Sequence, residues 1–181
     1  MSTKALLEAV CGLINDVFES KQQRIALCST YRISCEGWLQ IELLLRLTEA
    51  FSSDTHTVAY EANRVDLSIS TPDKNILIEL KTFPTNYGAY GKSITNSIDG
   101  VITDLQKLAA RCDQRTVGIV VWLAYPIPKP EPLLWADHVH RVNAHASATL
   151  RINKISLWEN QYAHLYIMES RRTGAAVGSA Y

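Results

Sequence analysis

Two short runs decide the fold of this chain, Arg64–Ile69 (RVDLSI) and Asn75–Phe83 (NILIELKTF). Both runs alternate apolar and polar residues with a period of two, which is the pattern of half-buried β-strands. The residues between them, Thr71–Lys74 (TPDK), form a turn sequence, because proline favours the backbone conformation with which a turn begins. The stretch therefore predicts a β-hairpin.

The length of the turn predicts which residues face each other. A four-residue loop pairs Ser70 with Asn75 and places Asp66 opposite Glu79, on the face that also carries Lys81. Directly opposed side chains have Cβ atoms about 5 Å apart, and like charges there are destabilising. A divalent metal held by both carboxylates would remove the repulsion. The alternative, favoured by the hairpin alone, is that the three charges form the solvated side of an amphipathic hairpin.

Length and composition predict one domain with no strong net charge. The chain has 181 residues, and its 18 Lys and Arg residues balance its 18 Asp and Glu residues. This balance excludes a histone-like nucleic-acid binder but not an enzyme with a local basic groove. We expect residues 1–170 to form the domain and residues 171–181, rich in Arg, Gly, Ala and Ser, to be a disordered tail.

Cysteine usage and hydropathy predict the compartment. The four cysteines include no CxxC pair, which argues against a disulfide framework. We see no signal peptide and no run long enough to span a bilayer. The expectation is a reduced, cytoplasmic protein with no membrane association.

Hydrophobic periodicity places helices on both sides of the hairpin. A helical stripe of apolar residues predicts an amphipathic helix at residues 3–19, and Ser34 is expected to cap a second, heavily apolar helix. A strand, a helix and another strand after the turn predict a right-handed crossover with parallel pairing. The remaining expectations are a loop or short strand at 24–33, a helix at Cys35–Phe51, a strand at His56–Glu61, a helix along the stripe from Ile94 to Cys112, a buried strand at Thr116–Ala124, a helix at Leu134–Ala148, and strands at Ile152–Trp158 and His164–Met168.

Two glutamates stand out on the second helix, Glu36 and Glu42. That helix is apolar around most of its circumference, so we expect it to be buried. A carboxylate on a mostly buried helix must lie at its rim or have a function.

The order of elements and the hairpin residues resemble the PD-(D/E)XK nuclease superfamily, the restriction-endonuclease-like proteins. The residues that carry the resemblance are Asp66 in RVDLSI and Glu79-Leu80-Lys81 in ILIELKT, with a spacing of thirteen between the two acids. Val65 stands where the family signature has proline. The resemblance covers residues 34–125 and implies an α/β fold: a single domain with an αβββαβ core, in which helices flank a mixed central sheet.

The resemblance also implies residue roles. Asp66 and Glu79 become ligands of Mg²⁺ or Mn²⁺, and Lys81 becomes the catalytic lysine. The family's frequent helix glutamate corresponds to Glu36 or Glu42, and the sequence does not decide between them.

The function implied is a divalent-metal-dependent nuclease that hydrolyses phosphodiester bonds, a DNA endonuclease in restriction, repair or phage defence. A chain this short has little room for a separate recognition domain, so cleavage of a duplex would require a homodimer or a protein partner. The alternative is a catalytically inactive nuclease-like domain that serves as a binding or assembly module.

Weaker signals lie after the hairpin. Tyr87, Tyr90 and Lys92 could stack on bases and contact phosphates, or they could belong to an ordinary loop. Lys107 and Arg111 lie one helical turn apart and could contact a phosphate backbone, or they could form a solvated face.

Overall fold

The structure, a computed structural model, describes residues 2–53, 55–61, 64–85, 87 and 94–170. The predicted tail and most of the loop after the hairpin lie outside this range. The helices are α1 (Thr3–Ser20), α2 (Gln22–Tyr31), α3 (Glu36–Phe51), α4 (Ile94–Ala109) and α5 (Leu133–Asn143). The strands are β1 (Thr57–Tyr60), β2 (Leu67–Ser70), β3 (Asn75–Pro84), β4 (Thr116–Pro128), β5 (Ala146–Trp158) and β6 (Gln161–Ser170). Among the described residues, no helix is long and apolar enough to cross a membrane.

All six strands form one mixed sheet in the order β1-β2-β3-β4-β6-β5. The hairpin has the predicted register, with Ser70 opposite Asn75. The predicted parallel pairing is confirmed between β3 and β4, which α4 connects, and the other neighbouring strands are antiparallel. The α/β class is therefore confirmed, and the elements from α3 to β4 follow the order αβββαβ.

Two apolar cores cover the two faces of the sheet. Helices α1, α2 and α3 pack on one face, and α4 and α5 pack on the other. Residues of β3 alternate between them: Ile78 and Leu80 belong to the first core, Leu77 and Phe83 to the second. Strand β3 is therefore buried on both faces, not half-buried as its alternating pattern predicts. Charged residues on either of its faces must be accommodated beneath a helix.

The segment at residues 24–33 is not a loop or short strand, because most of it belongs to α2. Ile25 and Ala26 are buried in the first core. This contact stabilises a helix in a segment whose β-branched and aromatic residues alone favour extended structure.

The helix predicted at Leu134–Ala148 is too long at its carboxyl end. It stops at Asn143, and β5 begins at Ala146 because the chain there pairs with β6. The two final strands are confirmed, and both extend beyond the predicted Ile152–Trp158 and His164–Met168.

Candidate active site at the open edge of strand β3

Acidic side chains gather where β2 stops pairing with β3. In the described residues the last β2–β3 pair is Leu67 with Ile78. The backbone N–H groups of Leu80 and Thr82 lie further along β3 and point to the same edge of the strand, where no residue of β2 pairs with them. Two carboxylates take the place of the missing strand. Asp66 Oδ2 accepts a hydrogen bond from Leu80 N at 2.7 Å, and Glu36 Oε2 accepts one from Thr82 N at 2.9 Å. The open edge therefore holds both acids in place.

Glu36 reaches β3 because it opens helix α3. The Ser34 hydroxyl lies 3.0 Å from the Thr82 hydroxyl and accepts a hydrogen bond from Glu36 N at 3.3 Å, so the start of α3 is attached to the strand. The amino end of a helix favours a negative charge. Burial nonetheless raises the pKa of Glu36. The hydrogen bond from Thr82 N and the charge of Lys81 lower this pKa, but they do not outweigh burial.

Glu79 lies on the α4 side of β3 and is only 5% exposed. Its carboxylate forms an ion pair with the Lys107 ammonium on α4. Burial raises the pKa of Glu79 to about 7; the hydrogen bond from Lys107 lowers it, and the nearby Asp66 charge raises it further. The interpretation of the hairpin charges as a solvated face is therefore wrong for Glu79.

Lys81 places its ammonium group between two carboxylates. Its Nζ lies 3.5 Å from Asp104 Oδ2 on α4 and 3.9 Å from Glu36 Oε1 on α3. Burial opposes the positive charge, but Glu36 and Asp104 outweigh it and raise the pKa of Lys81. Lys81 is therefore a fixed cation at neutral pH.

We call this group the carboxylate cluster; it comprises Glu36, Asp66, Glu79, Lys81, Asp104 and Lys107. Fully ionised, its four carboxylates and two ammonium groups leave two negative charges uncompensated. Asp104 Oδ2 is buried and, among the described residues, has no hydrogen-bond partner besides its ion pair with Lys81. Burial also raises the pKa of Asp104. The cluster therefore contains two more carboxyl groups than cationic groups, and burial raises the pKa of three of those carboxyls.

The cluster fits a divalent metal in donor chemistry. Mg²⁺ and Mn²⁺ prefer carboxylate oxygens, and one such ion would balance the two excess charges. In the structure Lys107 forms an ion pair with Glu79. Within the described ranges, we find no group of three or more His, Cys, Asp or Glu side chains that is arranged to hold a metal ion. Besides the pair of Lys107 with Glu79, Lys81 pairs with Glu36 and Asp104.

Glu42, the other candidate for the helix glutamate, does not join the cluster. It lies six residues after Glu36, which turns it to another side of α3. Its carboxylate pairs with Lys21 at 2.9 Å and Arg24 at 3.3 Å, and the hydrogen bond from Lys21 lowers its pKa. Of the two glutamates, only Glu36 is brought to the hairpin.

Sequence reasoning placed Asp104 on the polar side of the helix after the hairpin but did not assign it to the site, and it left Lys107 undecided between a phosphate contact and a solvated face. A signal was present, because Glu79 and Lys81 share one face of β3 and a crossover helix must cover one face of the sheet. The predicted helix carries Asp104 and Lys107 three residues apart, on one side. The rotation of α4 that brings them to β3 follows from its buried residues in the second core.

No family model, curated protein or solved structure matches this chain. The site is therefore interpreted from its own geometry and chemistry.

Proposed function

We propose that this chain is a divalent-metal-dependent nuclease of the PD-(D/E)XK type that hydrolyses phosphodiester bonds, with DNA as the favoured substrate. One observation carries the proposal: Asp66, Glu79, Lys81 and Glu36 converge at the open edge of β3. Three of these residues are the motif residues of the resemblance, and the fourth is one of its two candidate helix glutamates.

Each residue has a chemical task in this proposal. Asp66 and Glu79 would hold Mg²⁺ or Mn²⁺, which supplies an acidified water and neutralises charge on the phosphate. Lys81 keeps a positive charge at the site because Glu36 and Asp104 stabilise it. That ammonium can stabilise the negative charge that develops on a phosphate under attack. Glu36 is a positioning residue, since it contacts both the β3 backbone and Lys81.

Purified protein tests the proposal directly. Cleavage is measured with Mg²⁺ or Mn²⁺ on single-stranded, duplex and branched DNA and on RNA, for the unaltered chain and for Lys81→Ala. Lys21→Ala is a matched control, because Lys21 is also ion-paired to a glutamate and its side chain is 28% exposed, against 34% for Lys81. We expect metal-dependent cleavage that falls by about a hundredfold or more in Lys81→Ala and persists in Lys21→Ala. Absence of cleavage on every substrate, or equal cleavage by Lys81→Ala, contradicts the proposal.

A second candidate function is an inactive nuclease-like binding module. The observation that favours it is the ion pair between Lys107 and Glu79, which neutralises a metal ligand from within the chain. Calorimetric titration with Mn²⁺ separates the two candidates. An enzyme binds the metal, and Asp66→Asn weakens that binding; an inactive module shows neither metal binding nor cleavage.

A further inference from the structure

A cavity of about 460 Å³ lies at the carboxyl ends of β3 and β4, away from the carboxylate cluster. Its walls include Ser29 and Arg32 from the end of α2, Thr85 after β3, and Trp158 and Gln161 at the β5–β6 turn. This volume is within the range of small-molecule sites in proteins. In open α/β sheets, ligands commonly bind beyond the carboxyl ends of parallel strands.

The polar lining of the cavity is not fully satisfied by the protein. Ser29 is only 5% exposed, and its hydroxyl has no hydrogen-bond partner within the described part of the chain. Tyr87 is another residue of the cavity wall, and its buried hydroxyl likewise has no hydrogen-bond partner among the described residues. A buried hydroxyl without a partner is destabilising, so a ligand whose polar edge a rotated Ser29 or Tyr87 hydroxyl can reach is favoured. Glu159 and Gln161 add a carboxylate and an amide to the same walls.

The cavity also offers surfaces for stacking. Trp158 is 41% exposed at the end of β5, although it is a large apolar side chain. Arg32 contributes a second planar group, a guanidinium. Unpaired nucleobases stack on indole rings and guanidinium planes and expose mixed hydrogen-bond donors and acceptors at their edges.

The cavity lies within reach of a strand bound at the carboxylate cluster. Thr85 follows Lys81 by four residues along β3 and its end, which corresponds to about 13 Å. Stacked nucleotides rise about 3.4 Å each, so a few nucleotides span this distance. The walls carry one cation and one anion, Arg32 and Glu159, so the cavity has no excess of positive charge that would select a phosphate over a base.

We infer that this cavity binds an unpaired nucleobase of the substrate strand, from single-stranded nucleic acid or from a nucleotide turned out of a duplex. The inference rests on the proposed function, since it concerns the same substrate. The hydrogen-bonding edges that the cavity would contact are occupied in a duplex, so an intact duplex does not fill it.

Equilibrium binding tests the inference without cleavage. A fluorescein-labelled single-stranded DNA of twelve nucleotides is titrated with the full chain in EDTA, and fluorescence anisotropy is measured. The variants are Trp158→Ala, Trp158→Phe and Ile152→Ala; the last removes an exposed apolar side chain from the same strand outside the cavity. We expect Trp158→Ala to weaken binding about tenfold and Trp158→Phe and Ile152→Ala to retain it within about twofold. A blunt duplex of the same sequence is expected to bind more weakly than the single strand.

Two outcomes overturn the inference: unchanged affinity in Trp158→Ala, or equal affinity for single strand and duplex.

Photocrosslinking tests the inference without a variant that could fail to fold. A single strand carrying 5-iodouracil is irradiated with the unaltered chain, and the crosslinked peptide is identified by mass spectrometry. Crosslinks at Trp158 or Tyr87 support the inference, and crosslinks confined to other peptides contradict it. If binding depends on Trp158 but no metal-dependent cleavage occurs, only the nuclease proposal is overturned. If single strands are cleaved and Trp158→Ala leaves that cleavage unchanged, only the inference about the cavity is overturned.

Discussion

The carboxylate cluster and the polar group around His164 show opposite ways of burying titratable side chains. His164 lies on the face of the sheet covered by α4 and α5, as do the cluster residues that contact α4, while Glu36 reaches the cluster from α3 at the strand edge. In the cluster, one buried and three half-buried acids outnumber the two lysines beside them. Around His164, the Trp135 indole N–H donates to His164 Nδ1 at 3.1 Å and to the Tyr166 hydroxyl at 3.2 Å. Burial lowers the pKa of His164 to about 4, so this imidazole is neutral.

The difference separates a site suited to chemistry from one suited to stability. A neutral imidazole that accepts a hydrogen bond is buried at a smaller free-energy cost than an uncompensated charge. This holds although His164 Nε2 has no hydrogen-bond partner among the described residues. A chain that retains such charge gains from it only when a ligand balances it. We therefore expect substitutions in the cluster to change activity and those around His164 to change folding.

The largest expected effect is on cleavage. Glu79→Gln removes a proposed metal ligand, and we expect the metal-dependent cleavage rate to fall by about 10²–10³-fold, or ~3–4 kcal/mol. Its free energy of unfolding should change by no more than about 1 kcal/mol, because a partly compensated buried charge is removed. Cleavage assays and urea unfolding measure the two quantities. Loss of folding together with activity would show that Glu79 is structural and would break the comparison.

The next effect is the pH dependence of stability from His164. Its pKa is lowered first by burial and then by Lys154, while the Glu131 carboxylate, 3.7 Å from Nε2, opposes them. As the pH falls below about 6.5, His164 becomes protonated in the unfolded chain, whereas in the folded chain it stays neutral until about pH 4. The free energy of unfolding therefore decreases over this window by about 3 kcal/mol and is unaffected above it. Urea unfolding across the window, with His164→Gln subtracted, isolates this contribution; parallel curves for the two proteins would contradict it.

A smaller effect is expected from Trp135→Phe. The change leaves His164 and Tyr166 without their buried indole donor, and we expect a loss of about 2 kcal/mol of stability. Trp158→Phe is the control, because Trp158 is partly exposed and forms no part of this network. Thermal unfolding compares the two variants. Equal shifts in Tm would show that the hydrogen bonds of Trp135 contribute nothing beyond ring packing.

The smallest effect concerns the competition for Glu79. Lys107→Met removes the ammonium that neutralises this carboxylate, and we expect the affinity for Mn²⁺ to rise about fivefold, or ~1 kcal/mol. Isothermal calorimetry measures it, with Lys154→Met as a control at an ion pair remote from the cluster. A weaker affinity in Lys107→Met would show that the lysine supports the metal site instead of competing with it.

The hairpin illustrates what local pattern predicts. Its period of two and its four-residue turn predicted the pairing of Ser70 with Asn75, and the structure has it. The same register brings Asp66 close to Glu79. Asp66 directly precedes β2, and its carboxylate accepts a hydrogen bond from Leu80 N at the edge of β3. Short-range turn geometry sets this register, so few residues suffice to predict it.

Two features that depend on distant partners were not predicted, the end of α5 and the choice between Glu36 and Glu42. Ala146 continues the helical spacing of Trp135, Val139 and Val142, yet it begins β5 because β6 offers a partner strand. The choice of Glu36 over Glu42 likewise depends on how α3 is rotated against the sheet. Local propensities are small beside the free energy of burying a strand or a helix face, so tertiary contacts override them.

The sequence by itself determined the α/β order, the hairpin register, and the placement of Asp66, Glu79 and Lys81 around one strand. The tertiary structure decided that Glu36, Asp104 and Lys107 join them and that Glu42 does not. It also assembled the cavity beside Trp158 from four separate segments. The physical reason is that strand pairing follows a short-range period, whereas the rotation and position of each helix are set by cores assembled from residues far apart along the chain.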